Sequence, residues 1–297
     1  VIALFSSVPS FASDIDPSIK TILSFDKNHA DEFGKLIIQD SAGRMKPMDT
    51  LTTEILAKVY RSSHIKIGSS TLNSNQVILG MMIKPDEYRA LKMIRTKNNK
   101  INNMIGTKAD AKYASFSQFF IDPTRLEGYK LATAVDIAVR KEPKNRDLFD
   151  KAVIKADERV NICYSVYSGT LMKLWAKPND INNKWFPTIE ALQTFKPENA
   201  ERIRSIVFEY FSTLDKAVST GNWSKANIAI KKLNEYQNFY GSSVMPTPKR
   251  IEAEVLYNKT NIFETIYPMY FILGFILLIL SFTKILKPKF NIGYTPK

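Results

Sequence analysis

The side chains of this chain that could carry out chemistry are few and widely spaced. There are two histidines, His29 and His64, and one cysteine, Cys163. Neither histidine has a second histidine or a cysteine at the spacing of a metal site. The sequence patterns of nucleotide-binding loops, metalloproteases and serine hydrolases are also absent. The sequence therefore predicts no metal site and no catalytic residue.

His29, in the sequence Asn28-His-Ala-Asp-Glu, is the candidate for cofactor binding. Imidazole is a common axial ligand of haem iron, which makes His29 a candidate haem ligand. The alternative is an exposed histidine, or a core histidine whose ring nitrogens have protein partners. The sequence leaves these interpretations open.

The segment 40–49 is polar, rich in turn-forming residues, and carries Arg44 and Lys46. Guanidinium and ammonium groups bind carboxylates, so Arg44 and Lys46 are candidate ligands of an anion such as a haem propionate. The segment could equally be a turn that packs against the rest of the protein. Residues 36–43 have the pattern of a strand that leads into an Ala-Gly turn, which predicts a short hairpin.

Cys163 lies in the apolar run Val160-Asn-Ile-Cys-Tyr-Ser-Val, where it is expected to be a buried core residue. A single cysteine cannot form an intrachain disulfide, so the stability of the protein must come from its apolar core. The absence of a CxxC or CxxCH pattern predicts that the chain neither carries a c-type haem nor reduces disulfides.

Helices must position these residues, because apolar residues recur at helical spacing in most segments. The longest pattern covers 145–175, and a helix pair is predicted at 197–219 and 223–240. Further helices are predicted at 75–83, 85–95, 109–120 and 125–141, with a polar loop at 98–103. Strands are predicted only at 36–39 and 65–67. The predicted fold is mainly α, an exported helical bundle followed by a transmembrane helix.

Residues 265–283 are uncharged and reach the length needed to cross a bilayer as a helix. Lysines follow this segment, and basic residues prefer the cytoplasmic side. We therefore expect an inner-membrane protein with residues 14–264 in the periplasm and 284–297 in the cytoplasm. The alternative is a core helix of a soluble protein.

The ends of the chain complete the predicted organisation. Residues 1–13 have the pattern of the end of a signal peptide or of an uncleaved membrane helix. An exported helical domain at 14–245 follows, with a candidate sub-boundary at 178–187, and then a linker helix at 246–264. We expect the chain to be a fragment, with 284–297 as the start of a further region.

The formal net charge of +13 could indicate nucleic acid, an anionic membrane surface or acidic partners. Nucleic acid is disfavoured, because the predicted location is outside the cytoplasm and the basic residues are scattered among acidic ones. The interpretation that needs no partner is a solvated basic surface.

Four segments, 29–51, 75–82, 155–169 and 253–264, carry a family resemblance. They include Gly34-Lys-Leu-Ile-Ile-Gln-Asp-Ser-Ala-Gly-Arg44 and Ala156-Asp-Glu-Arg-Val-Asn-Ile-Cys163. The chain resembles the long System II cytochrome c biogenesis proteins, the fused CcsB–CcsA (ResB–ResC) type of cytochrome c synthetase. The resemblance covers most of the chain from His29 to Phe282.

The resemblance implies a membrane protein that carries haem to the outer face and presents it to apocytochrome c. The tryptophan-rich WWD segment of that family is not matched, since Trp175, Trp185 and Trp223 are isolated. The implied role of this chain is therefore a periplasmic scaffold without catalytic residues. Haem is the implied cofactor of the full-length synthetase, and apocytochrome c, the membrane and other parts of the maturation system are the implied partners. The alternative is a stand-alone membrane-anchored binding or sensor domain.

Overall fold

The computed structural model describes residues 16–260 and 262–286, without the side chains of 262–265. Helix makes up 63% of the structure, which confirms the prediction of a mainly α fold. The chain divides into two compact units at Thr247 and Pro248, and the segment 178–187 lies within the first.

The described part of the first unit contains eleven α-helices. They are α1 (Pro17–Leu23), α2 (Lys27–Gly34), α3 (Met48–Val59), α4 (Ser74–Ile83), α5 (Pro85–Ala90), α6 (Asn99–Ile105), α7 (Ala132–Arg140), α8 (Leu148–Tyr167), α9 (Thr188–Thr194), α10 (Pro197–Thr220) and α11 (Ser224–Tyr240).

Five two-stranded antiparallel pairs lie between these helices. Their strands are β1 (Ile37–Gln39) with β2 (Met45–Pro47), β3 (His64–Ile67) with β4 (Ser70–Asn73), β5 (Lys92–Arg95) with β6 (Tyr113–Ser115), β7 (Phe120–Asp122) with β8 (Glu127–Tyr129), and β9 (Trp175–Ala176) with β10 (Trp185–Phe186). In one of the pairs, β5 with β6, helix α6 separates the two strands. The strands predicted at 36–39 and 65–67 are confirmed as β1 and β3.

Helix α8 shows how the sequence sets the ends and the buried face of a helix. The side chain of Asp147 accepts a hydrogen bond from the backbone N–H of Asp150 at 2.7 Å, in a capping box that satisfies the first turn. Val153, Val160 and Cys163 then recur at helical spacing and are buried. Cys163 is therefore a core residue as predicted, and burial raises the pKa of its thiol to about 12.

The predicted helix pair is confirmed as α10 and α11. Gly221 ends α10 with a φ of +74°, a left-handed conformation that glycine adopts without steric cost. The two helices pack along their length, and the ammonium of Lys232 lies 2.7 Å from the carboxylate of Glu209 across the pair.

Four of the predicted helical segments are wrong over part or all of their length. Helix α8 ends at Tyr167, so the pattern predicted to 175 is not helical after that residue. Residues 109–120 form β6, a 3₁₀ turn at Phe116–Phe119 and the start of β7. The helix predicted at 85–95 ends at Ala90 and gives way to β5, and the helix predicted at 125–141 begins only after β8. Strands of three or four residues are too short to show an alternating pattern, and aromatic residues that favour strands fall at helical spacing here.

The predicted polar loop at 98–103 is also wrong. Asn98 caps α6 through hydrogen bonds from the backbone N–H groups of Lys100 and Ile101 to its side chain. Asparagine favours both loops and helix N-caps, so the polar composition does not separate the two structures.

Helix α4 lies at the centre of the first unit, and every residue from Ser74 to Met81 is buried. Gly80 allows the ring of Tyr88 on α5 to approach closely, because a Cβ atom at this position would lie 2.2 Å from the Tyr88 hydroxyl oxygen. The core around α4 joins helices from both ends of the first unit.

The described part of the second unit consists of α12 (Pro248–Thr260) and α13 (Ile262–Leu286). The 21 residues Ile266–Leu286 form a helix that is long and apolar enough to cross a membrane, and its apolar window has no buried residue. It coincides with the predicted transmembrane segment.

Candidate functional site

His29 lies on α2 and is fully buried. Its Nδ1 lies 2.6 Å from Oδ1 of Asn227, and its Nε2 lies 3.0 Å from the hydroxyl of Tyr210. An amide oxygen only accepts, so Nδ1 donates to Asn227 and Nε2 accepts from Tyr210. Burial lowers the pKa of His29, with the hydrogen bond to Asn227 acting in the opposite direction, so the imidazole is neutral at pH 7.

The surroundings of His29 are aromatic, since the centroids of the His29 and Trp223 rings are 5.1 Å apart. Both ring nitrogens have protein partners, which is the geometry of a core histidine. Iron ligation by His29 would require one of these hydrogen bonds to break. The haem-ligand interpretation of His29 stays a prediction.

The two candidate anion ligands, Arg44 and Lys46, lie in different environments. Lys46 on β2 is 5% exposed, and its ammonium is 2.6 Å from the carboxylate of Glu54. Arg44 lies at the end of the turn before β2 and is exposed. The structure therefore does not bring these two cations together on one surface, and Lys46 already has a carboxylate partner.

The turn that carries Arg44 is built on Asp40. The side chain of Asp40 accepts hydrogen bonds from the backbone N–H groups of Ala42 and Arg44, both at 2.9 Å. Gly43 has a φ of +85°, which favours glycine at this position. The predicted hairpin with an Ala-Gly turn is confirmed.

A cleft of about 400 Å³ separates this turn from the β9–β10 hairpin. Gln39 joins the two walls, because its Oε1 accepts from the backbone N–H of Trp185 at 2.9 Å and its Nε2 donates to the carbonyl of Asn183 at 3.1 Å. The charged and aromatic residues of the lining are Asp40, Lys173, Lys184, Trp185, Phe186 and Glu190.

The cleft offers hydrogen-bond donors beside aromatic rings. Two ammonium groups, from Lys173 and Lys184, line it together with Trp185. Trp185 is 2% exposed, and its indole N–H has no partner among the described residues. The carboxylates of Asp40 and Glu190 also line the cleft, so its two lysines are matched by two acidic residues. Ammonium groups bind carboxylates, so Lys173 and Lys184 are the residues of the cleft that an anionic group would contact.

The described residues contain no cluster of three or more histidine, cysteine, aspartate or glutamate side chains that could hold a metal ion. The residues that line the cleft also include no histidine, cysteine or methionine. The cleft therefore provides none of the usual side chains for haem iron.

The sequence did not point to Lys173, Lys184 or Trp185 as site residues. Gln39 and Trp185 are 146 positions apart, so no local spacing relates the two walls of the cleft. The turn at 40–43 is the one local feature of the sequence that indicates this cleft. It suggested Arg44 and Lys46 as anion ligands, and neither of them lines the cleft.

Over 250 residues the chain is 32% identical to Protein NrfI of Wolinella succinogenes. The match includes 84% of this chain but spans only 26% of the length of NrfI, about a quarter of that relative. No family model matches the chain.

Proposed function

We propose that this chain is the scaffold part of a membrane protein that matures cytochrome c by delivering haem to apocytochrome c. The similarity to NrfI over 84% of the chain carries this proposal. The apolar helix Ile266–Leu286 supports a membrane anchor. The basic residues after this helix favour a periplasmic location for residues 14–264.

In this proposal the chain binds and positions, and the chemistry of haem attachment belongs to other parts of the full-length protein. Haem supplies the vinyl groups that form the thioether bonds. Lys173 and Lys184 would hold a carboxylate of haem or of the apocytochrome in the cleft.

Co-expression of the full-length protein with a CxxCH apocytochrome tests the proposal. The double variant Lys173→Ala/Lys184→Ala should lower the yield of covalently bound haem, measured by haem staining of the apocytochrome. Lys225 and Lys231 are exposed lysines on α11, away from the residues that line the cleft. Their double alanine variant is the matched control and should leave the yield unchanged.

A second variant separates the role of the whole domain from that of the cleft. Deletion of residues 14–260 should abolish haem attachment if the domain is a required scaffold. A wild-type yield after this deletion would contradict the proposal and would favour a stand-alone binding or sensor domain.

A further inference from the structure

Arg159 on α8 joins three elements of the first unit. Its Nη1 donates to the carbonyl of Arg95 on β5 at 2.7 Å, and its Nε donates to the carbonyl of Lys58 in the last turn of α3 at 3.1 Å. The carbonyls at the end of a helix lack partners within the helix, so a guanidinium is well placed there. This geometry fixes the Arg159 side chain in one orientation.

Arg159 contacts the segments that carry two further arginines. Arg95 ends β5 and offers its own carbonyl to Arg159, and Arg61 lies two residues after α3, three positions beyond the Lys58 carbonyl. Burial lowers the pKa of Arg159, and the positive charges of Arg61 and Arg95 lower it further. The neighbouring acid, Glu158, pairs with Lys58 at 2.7 Å.

The backbone that carries Arg61 and Arg95 is held by a pair of tyrosines. The rings of Tyr60 and Tyr113 stack with centroids 4.5 Å apart, and the hydroxyl of Tyr113 donates to the carbonyl of Tyr60 at 3.2 Å. Tyr113 also pairs with Arg95 across the β5–β6 strand pair. The positions of the arginines are therefore set by the fold.

Three clustered arginines are unfavourable unless an anion compensates their charge. Within residues 16–260, no ion pair includes Arg61 or Arg95. The two hydrogen bonds of Arg159 to backbone carbonyls involve neither of their guanidinium groups.

We propose that Arg61, Arg95 and Arg159 form a docking site for an acidic segment of a partner protein. This goes beyond the proposed function and shares no residue with the cleft. Guanidinium groups bind carboxylates through two parallel hydrogen bonds, which lysines cannot do. An anionic membrane would attract basic residues at any position, whereas a carboxylate of an acidic segment can form paired hydrogen bonds with the guanidinium groups of Arg61 and Arg95.

The test measures binding of a fluorescently labelled hexaglutamate peptide to the full chain in a neutral detergent. Arg61→Ala/Arg95→Ala removes two of the charges and leaves the capping residue Arg159 in place. We expect it to weaken binding roughly tenfold or more, because both removed guanidinium groups would form charge-assisted hydrogen bonds with the peptide. The dissociation constant of the parent chain should rise with salt concentration.

Two further variants make the result specific. Arg61→Lys/Arg95→Lys keeps the charges but loses the paired hydrogen bonds, so its affinity should lie between those of the parent and the alanine variant. Lys225→Ala/Lys231→Ala removes the same amount of charge from α11 and should bind the peptide like the parent. Equal weakening by this control would overturn the proposal, because binding would then depend only on net charge.

The choice of ligand is tested with the same chains. Vesicles that contain phosphatidylglycerol should bind the alanine variant and the parent equally well. If the parent binds these vesicles through the cluster and does not bind the peptide, the surface is a membrane contact and the proposal fails. The proposal also fails if inorganic phosphate displaces the peptide at equal concentration, since the site would then take a free oxyanion.

Discussion

Nδ1 of His29 lies 2.6 Å from Oδ1 of Asn227, and this hydrogen bond joins α2 to α11 across 198 positions of the chain. The second ring nitrogen reaches Tyr210 on α10. One imidazole therefore connects the start of the first unit to both helices of the pair at its end. Its loss should affect the whole unit.

His29→Ala should lower the free energy of unfolding by about 2–4 kcal/mol, because it leaves a cavity and removes a partner from the buried Tyr210 hydroxyl. Urea denaturation followed by circular dichroism measures the change. His64→Ala is the matched control, since His64 is exposed on β3, and it should change the stability by less than about 0.5 kcal/mol. Equal stability of the two variants would contradict the structural role of His29.

The same substitution decides the haem-ligand interpretation of His29. The absorption spectrum of haem retained by the full-length protein should differ between parent and variant if the imidazole binds iron. An unchanged spectrum would remove His29 as a ligand.

The stability of the first unit should decrease as the pH falls below about 7. Burial lowers the pKa of His29 from its ordinary value of 6.5, so the unfolded chain takes up a proton at a higher pH than the folded chain. Below pH 6.5 the unfolded state binds more protons, and the free energy of unfolding falls by up to about 1.4 kcal/mol per pH unit.

Denaturation of the parent and of His29→Gln between pH 7.5 and 5.5 measures this effect. The slope of stability against pH should be smaller in the variant, whatever its absolute stability. The hydrogen bond from Lys141 lowers the pKa of Asp150, so that carboxylate titrates below this range. Identical slopes would show that His29 is not the titrating group.

Gln237 connects α11 to two segments of buried backbone. Its Oε1 accepts from the N–H of Ile37 at 3.0 Å, and its Nε2 donates to the carbonyls of Ile37 and Leu174 at 2.8 and 3.1 Å. Gln237→Leu leaves these groups unpaired and should cost about 2–4 kcal/mol. Hydrogen exchange of the Ile37 amide should accelerate. Asn238→Leu, at an exposed neighbouring position, should leave this amide protected.

Charged residues in the middle of α13 should abolish membrane retention. Leu277→Arg/Leu278→Arg places two charges at the centre of the apolar segment, each costing on the order of 2.5–3.5 kcal/mol in a bilayer. In a chain expressed from residue 14 to residue 297, alkaline extraction should release the variant. Phe208→Arg adds a charge at an exposed apolar position of α10 and should leave the chain in the membrane fraction. Release of both variants would show that α13 is not the anchor.

The long helix pair and the β1–β2 hairpin could be predicted from the sequence, whereas the other short strand pairs could not. The pair at 197–219 and 223–240 differs from α10 and α11 by one residue at most, because a glycine turn separates two long apolar patterns. The β5–β6 and β7–β8 pairs have strands of three or four residues. Their pairing depends on the surrounding core, which local patterns do not contain.

For the candidate site, too, the sequence predicted the local turn but not the contacts between distant segments. The turn at 40–43 was predictable from its local sequence, and it does form one wall of the cleft. Lys173 and Lys184 each precede a strand of the β9–β10 hairpin, far along the chain from this turn, so only folding brings them to the same cleft. The pairing of Lys46 with Glu54 could not be predicted, because the fold sets which of several cations is buried.

The link between Ile37 and Gln237 spans 200 residues and has a consequence for synthesis on the ribosome. Strand β1 emerges early, yet the side chain that satisfies its backbone is made only after nearly all of the first unit. Contacts of such long range form late in folding. The nascent chain therefore exposes apolar and unpaired groups until α11 is complete, which makes it a substrate for chaperones during that interval.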